Sequence, residues 1–467
     1  MVILGACARL PAPLPAKHSA PQTAIHATLT QDAKQDDLIR GGWPKKDWWK
    51  TANAPALNRL IHTALDSNPN LKMAAARILQ AKADAERAHA ALLPHLSAGT
   101  AITQEHFSQQ GLHALLNGKT VTYGALNPIM IRYHLDLWGK DLDRVRAALG
   151  AVRVHEADYA QVRLLLSTEI TWHYFLLSGL TAQYQLVNER LKLERALLRL
   201  EQRRWRDGLS NASAVYTQQE TCAAVGQKRA QLQAAIAEQR YLLAALAGQG
   251  PDWGASIQST PLPVLPTFAL PADLPLQLLA RRPDIVAARW ETALAAQEVK
   301  AARAAFYPNV NLHFFVGWNS INLGDLLSIG NLAHAVGPVI SLPIFEGGAL
   351  RAGLKAQNAV FQASNDHYQA TILDAVREVV DQLREWQQVH QQIKEQKMMM
   401  VSAKQASRLA ETAYRNGLSN KAAFYKAQIQ QISVEEQATS LYTQNAQAWA
   451  KLNGALGGGY RTRNKPA

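Results

Sequence analysis

Cysteine is nearly absent from this 467-residue chain: Cys7 and Cys222 are the only two, too few for a disulfide framework. Cys222 falls inside a predicted helix, where a small buried hydrophobe is the expected role. No apolar run approaches the eighteen or so residues of a membrane-crossing helix. If the chain crosses a bilayer, it must do so as β-strands. Convergent chemistry is missing as well. The 14 histidines are scattered, with no His-Glu-x-x-His or Cys/His ligand spacing, so no metal site is expected. Without a Gly-x-Ser-x-Gly elbow or paired catalytic carboxylates, no catalytic residue, cofactor or enzymatic activity is expected either. Gly454-Ala455-Leu456-Gly457-Gly458-Gly459 looks like a phosphate loop but follows a helical pattern and leads into Arg461, Arg463 and Lys465. It reads as a helix terminator.

Acidic residues are outnumbered, 36 against 49 basic, for a net charge of +13. Such an excess can mean nucleic acid or anionic lipid. The basic residues are instead spread along helical patterns among Glu, Gln and Ala, and the densest group is only Arg203-Arg204-Trp205-Arg206. They read as solvated helix faces, and no nucleic-acid partner is expected.

Proline is absent from residues 129–250 and again from 344–465, two spans of 122 residues each. That symmetry marks an internal duplication. Residues 69–94 align without gaps on 283–308, with Pro69/Pro283, Ala74/Ala288, Ala81/Ala295, Ala88/Ala302 and Pro94/Pro308 among the matches. Farther on, Arg206-Asp207-Gly208-Leu209-Ser210-Asn211 repeats as Arg415-Asn416-Gly417-Leu418-Ser419-Asn420. Each half therefore predicts a helix, a β-hairpin, a long helix, a tight turn and a returning helix. In the first half these fall at about 55–92, strands near 96–106 and 122–138, Lys140 to Arg206, and about 212–247. Gly208 is the expected C-terminal cap and Ser210 or Asn211 the next N-cap. At about 1.5 Å per residue the long helix is on the order of 100 Å, beyond any one globular core. The two shorter helices end to end nearly match it, which predicts a sheath of near-parallel helices.

The strands change period. Ile129, Ile131, Tyr133, Leu135 and Leu137 share one face, opposite Met130, Arg132, His134, Asp136 and Trp138. In the second copy Val310, Leu312, Phe314, Val316 and Trp318 oppose Asn309, Asn311, His313, Phe315 and Gly317. Ten-residue dyad runs of this kind mark membrane β-barrel strands, with an ordinary half-buried sheet as the alternative left open. Trp138, Phe345, Tyr123 and Trp318 near strand ends fit an interfacial girdle. Four strands cannot close a barrel, for which about eight is the practical minimum, so the chain must form a cyclic oligomer.

Leu270-Pro271-Ala272-Asp273-Leu274-Pro275 and Leu279-Ala280-Arg281-Arg282-Pro283-Asp284-Ile285, with Asp136-Leu137-Trp138-Gly139 and Pro343-Ile344-Phe345-Glu346-Gly347-Gly348 at the strand-to-helix junctions, carry a resemblance over about residues 40–458. The sequence resembles the TolC-like outer-membrane efflux proteins, in particular their NodT/OprM-type lipoprotein branch. The resemblance implies a mainly α fold with a transmembrane β-barrel: a homotrimer with a long α-helical barrel in the periplasm and four β-strands per protomer in a trimeric 12-stranded barrel. It implies a passive channel of a tripartite efflux system, exporting small molecules through a periplasmic adaptor (membrane fusion) protein and an inner-membrane pump. A periplasmic adaptor or coiled-coil scaffold protein is the alternative, but adaptors carry one hairpin where this chain carries two.

On this reading residues 1–54 are a lipoprotein-like and equatorial segment, 55–248 the first repeat, 249–275 an equatorial linker, 276–457 the second repeat, and 458–467 a basic tail. Leu4-Gly5-Ala6-Cys7 resembles a lipobox, which makes Cys7 the expected lipid anchor in the bacterial outer membrane. Only six residues precede it, fewer than a complete signal peptide, so acylation is expected of the full-length product. Gly208, Asn211, Gly417, Asn420 and Lys421 would form the hairpin tips that close the periplasmic entrance. Where relatives place aspartates after the second tip, this chain has Ser419-Asn420-Lys421-Ala422. Lys421 either faces the lumen or points outward. Arg281, Arg282, Pro283 and Asp284 are expected to cap and pin the start of a helix.

Overall fold

The computed structural model describes residues 39–110, 115–263, 265, 269–271 and 280–462. In chain order the elements are β1 (Ile39–Gly41), α1 (Pro55–Ser67), α2 (Pro69–Ala90), β2 (His95–His106), β3 (Thr120–Leu135), α3 (Lys140–Arg206) and α4 (Ala212–Leu246). The one-turn α5 (Pro251–Gly254), β4 (Ala269–Pro271), α6 (Pro283–Ala304), β5 (Asn309–Ser320), β6 (Leu332–Ser341), α7 (Ala349–Arg415) and α8 (Lys421–Ala455) complete it. The duplication is kept to the residue in the helices. Both long helices, α3 and α7, have 67 residues. The returning helices α4 and α8 have 35 each, and α2 and α6 have 22 each.

Two readings of the sequence are corrected: β3 ends at Leu135, short of 138, so Asp136, Leu137 and Trp138 fall in the turn before α3, and the first helix is broken. The first helix does not run unbroken over 55–92; it stops at Ser67 and restarts at Pro69. A residue before proline is driven out of the α region, and Asn68 sits at φ −59, ψ 123. Its side chain makes use of the break. Oδ1 accepts from the N–H groups of Asn70 (2.9 Å) and Leu71 (3.2 Å), capping α2, while Nδ2 donates to the Leu246 carbonyl at 2.8 Å.

Two compact units divide the chain, and they do not follow the repeats, because each repeat contributes to both. The first comprises the described parts of Arg77–Glu156 and Ala287–Gln369; the second, those of Pro21–Ala76, Ala157–Val286 and Ala370–Ala467.

The first unit holds an antiparallel sheet of order β2-β3-β5-β6. Its register aligns one apolar row across all four strands: Leu96, Ile131, Phe314 and Val336 are successive cross-strand partners. The next row on the opposite face reads His95, Arg132, His313 and Gly337. Bulges between Ser97 and Gly99 and between Leu126 and Ile129 let the alternation restart after a slip that would otherwise invert the faces. The outer strands are exposed along nearly their whole length. Leu96, Ile102, Val336 and Ile340 are all at least two-thirds exposed or close to it, at 71%, 67%, 78% and 66%. Such a sheet is no ordinary half-buried layer, which would cover its apolar face with helices. At the strand ends Trp138 stacks on Tyr307 (4.9 Å, 22°) and donates its indole N–H to the Pro308 carbonyl at 2.8 Å.

The second unit has the larger core. Trp48 and Trp49 from the N-terminal segment are buried with Ile170, Tyr174 and Phe175 of α3, Leu243 of α4, Leu383 of α7 and Trp449 and Leu452 of α8. Close approach is built in. A Cβ on Gly179 would stand 2.0 Å from the Thr443 hydroxyl, so α3 and α8 touch there as only a glycine permits.

Candidate functional site

The two hairpin tips, both in the second unit, are built alike. In the first, Gly208 has φ +71; its N–H donates to the Trp205 carbonyl (3.1 Å) and that of Leu209 to the Arg204 carbonyl (2.7 Å). In the second, Gly417 has φ +73, with Gly417 N–H to Tyr414 carbonyl at 3.1 Å and Leu418 N–H to Ala413 carbonyl at 2.8 Å. This paired bonding is the Schellman closure, which needs a left-handed residue after the helix. The returning helices start with Asn211 and Asn420, whose Oδ1 atoms accept from the Ala214 and Ala423 N–H groups, each at 2.9 Å.

The tips differ in chemistry. At the first, the Ser210 hydroxyl donates to Glu201 (3.3 Å), which also holds Arg204 (3.1 Å). At the second, Tyr414 stacks face to face on Phe424 (5.7 Å, 4°) and Phe424 on Tyr425 (5.9 Å). Lys421, the exposed first residue of α8, places its ammonium 5.5 Å from the centre of the Tyr425 ring. A cation at a helix N-terminus opposes the dipole, and the ring face offsets part of that cost. Leu209 and Leu418 project into solvent at 70% and 81% exposure. Glu201 and Tyr425 were not singled out in the sequence. Tyr425 has its counterpart in Tyr216, 209 residues earlier, a repeat that could have found it, whereas Glu201 lies two helical turns before its turn and carried no such signal.

The Arg281-Arg282-Pro283-Asp284 segment opens α6. Arg282 is buried and grips Asp284 with two bonds, Nη2 to Oδ2 at 2.6 Å and Nε to Oδ1 at 3.1 Å. Its Nη1 donates to Glu378 of α7 (2.6 Å) and to the Ala455 carbonyl at the end of α8 (3.0 Å). Burial alone would lower its pKa, but the hydrogen bonds and charges of Asp284 and Glu378 outweigh that and raise it above the ordinary value. One guanidinium thus ties the start of one helix, the flank of a second and the end of a third. Arg281 points elsewhere, onto the Trp43 ring at 4.9 Å, with its pKa lowered by desolvation and by nearby Arg461. The glycine-rich stretch after α8 is the terminator read from the sequence: Gly457, Gly458 and Gly459 all have positive φ.

Cys7 lies outside the described residues. Although the sequence shows no metal-ligand spacing, the fold gathers His134, Asp136 and Asp141 at the β3 to α3 corner.

The family described as outer membrane efflux protein matches residues 60–249 and 274–458. The fusaric acid resistance protein FusA of Burkholderia cepacia is 33% identical over 363 residues, 77% of this chain and 68% of its own. The multidrug resistance outer membrane protein MdtP of Escherichia coli strain K12 is 27% identical over 453 residues, 95% of this chain and 93% of its own. Among solved structures, the outer membrane protein VceC of Vibrio cholerae superimposes with a TM-score of 0.79 at 32% identity, covering 89% of this chain and all of that one. The Campylobacter jejuni CmeC outer membrane channel shares the fold, with a TM-score of 0.83 at 20% identity over 91% of this chain and 90% of its own.

Proposed function

The chain belongs to the outer membrane efflux protein family, and from that premise we propose that it is the passive outer-membrane duct of a tripartite efflux system. The observation that carries this reading is the sheet: an apolar row on one face, a row with His95, Arg132 and His313 on the other, and two outer strands, β2 and β6, that each have one neighbour. In hydrocarbon an unpaired edge costs several kcal/mol per group, so β6 of one chain pairs with β2 of the next, and a homotrimer closes a twelve-stranded barrel. The helices form the periplasmic tunnel. Acylated Cys7 anchors each protomer in outer-membrane lipid.

At the tips, Gly208, Asn211, Gly417, Asn420 and Lys421 form the periplasmic entrance, which opens on engaging a periplasmic adaptor fed by an inner-membrane pump. Arg203, Arg204, Arg206, Arg415 and Lys421 outnumber Glu201, Asp207 and Glu411 there, which supports a neutral-to-basic entrance. Passage of organic anions fits that charge, and FusA is named for resistance to fusaric acid. Arg282 with Asp284 pins the base of α6.

The test is expression of the chain in a strain stripped of its own efflux channels. An SDS-resistant, heat-dissociable trimer in the outer-membrane fraction, with restored drug resistance, is the expected result. A monomer in the soluble periplasmic fraction would sink the duct and favour a scaffold.

A further inference from the structure

The corner where β3 gives way to α3 brings three chemically suited side chains together. A ring nitrogen of His134 and a carboxylate oxygen of each of Asp136 and Asp141 all lie within 4.8 Å of one another. None is a free surface group: the His134 and Asp141 side chains are 23% and 12% exposed. His134 and Asn311 are cross-strand partners of β3 and β5, and Nδ1 of the ring meets Oδ1 of Asn311 at 3.1 Å. On the other side of the ring Nε2 faces Asp141 Oδ2 at 3.4 Å. Asp136 brings an unmet acceptor to the same corner. Its Oδ2 accepts the Leu142 N–H at 2.8 Å, but its Oδ1 is shut off from solvent and has no hydrogen-bond partner. A buried carboxylate oxygen left unpaired is costly. Arg144 reaches only the other oxygen of Asp141, Oδ1, at 3.6 Å, and Lys140 lines the same pocket.

We propose that His134, Asp136 and Asp141 bind a borderline divalent cation, of which Zn²⁺ is the type, stapling the last residues of the strand to the first turn of the helix. One imidazole nitrogen with two carboxylates suits zinc and its first-row neighbours rather than the all-oxygen preference of calcium or magnesium. Bonds of about 2.0 Å at the tetrahedral angle separate ligand atoms by about 3.3 Å, close to the 3.4 Å found between His134 and Asp141. Asn311 acts as the orienting residue, fixing the tautomer from the far side of the ring as metal-ligating histidines require. The site draws on one chain only, so it does not depend on how protomers assemble or on what they carry.

The full chain, purified in detergent and stripped with a chelator, is titrated with Co²⁺ and then Zn²⁺. One Co²⁺ per chain, visible by its d–d absorption and displaced by Zn²⁺, is expected. Uptake falls to background in His134→Gln and in Asp141→Asn, while His106→Gln, on an exposed strand end, keeps it. Asn311→Leu leaves all three ligands in place and should weaken binding by about tenfold or more, so it reports even where a ligand variant fails to fold. A wild-type chain that takes up no metal at micromolar free Zn²⁺ overturns the proposal, leaving His134 to donate a proton to Asp141. Full uptake in both ligand variants overturns it equally. Metal stoichiometry, not transport, is the readout, so failure here would leave the channel reading standing.

Discussion

Replacing glycines one at a time separates two costs that the fold combines. Gly208 and Gly417 have φ of +71 and +73, yet a Cβ at either would meet nothing within 4 Å. Alanine there suffers only the left-handed backbone, about 1 kcal/mol, and valine, stiff at χ1, about 2 kcal/mol. Gly457 has the same kind of backbone, φ +83, but its Cβ would lie 2.0 Å from the Arg281 carbonyl oxygen and 2.9 Å from its carbon. No flexible side chain can yield there, so Gly457→Ala forces the backbone apart and costs about 3 kcal/mol or more. Gly226, inside α4 with nothing within 4 Å and no positive φ, is the control. Alanine at that position should be neutral or stabilising by up to about 1 kcal/mol. The assay is the temperature at which the SDS-resistant trimer dissociates, read beside drug susceptibility. The expected order of heat stability is Gly226→Ala, Gly208→Ala, Gly208→Val, Gly457→Ala, with impaired function in both valine tip variants. Equal stability of Gly457→Ala and Gly208→Ala would refute the reasoning, and so would unchanged susceptibility with valine at both tips.

Arg282→Met should destabilise by about 2–4 kcal/mol, because it strips Asp284 of both bonds and leaves the Ala455 carbonyl unmet. The double variant with Asp284→Asn should recover part of that in thermal dissociation, and no recovery would argue against a coupled pair. At the entrance, reversal potentials across planar bilayers in a KCl gradient should show anion preference that weakens in Lys421→Ala. Clear cation selectivity, unaltered by that substitution, would end the idea.

What could be read ahead of the structure was whatever is decided locally. The α3 limits Lys140 and Arg206, and the turn through Gly208 and Asn211, follow from capping rules acting within a few residues, and a second copy of the same words at 415–420 doubled the signal. The family resemblance lay in contiguous motifs and was legible for the same reason. The break at Asn68 was missed because Pro69 suits the first turn of a helix and hid the end of the one before it. The slip between Leu126 and Ile129 depends on pairing with β5, far along the chain. Arg282 meets Glu378 across 96 residues, and His134 meets Asn311 across 177; no local rule announces either partner.

The order β2-β3-β5-β6 also says something about ancestry and assembly. Inside one chain the repeats join where β3 pairs with β5, and between chains the proposed join is β6 with β2, so the same antiparallel seam alternates between covalently tethered and free. Fusing two ancestral copies would have halved the number of seams that separate molecules must find by collision. Tethering replaces a search between separate molecules with a loop closure inside one polypeptide. What is left to chance is confined to two edges per chain, and a protomer that meets no partner keeps both of them raw.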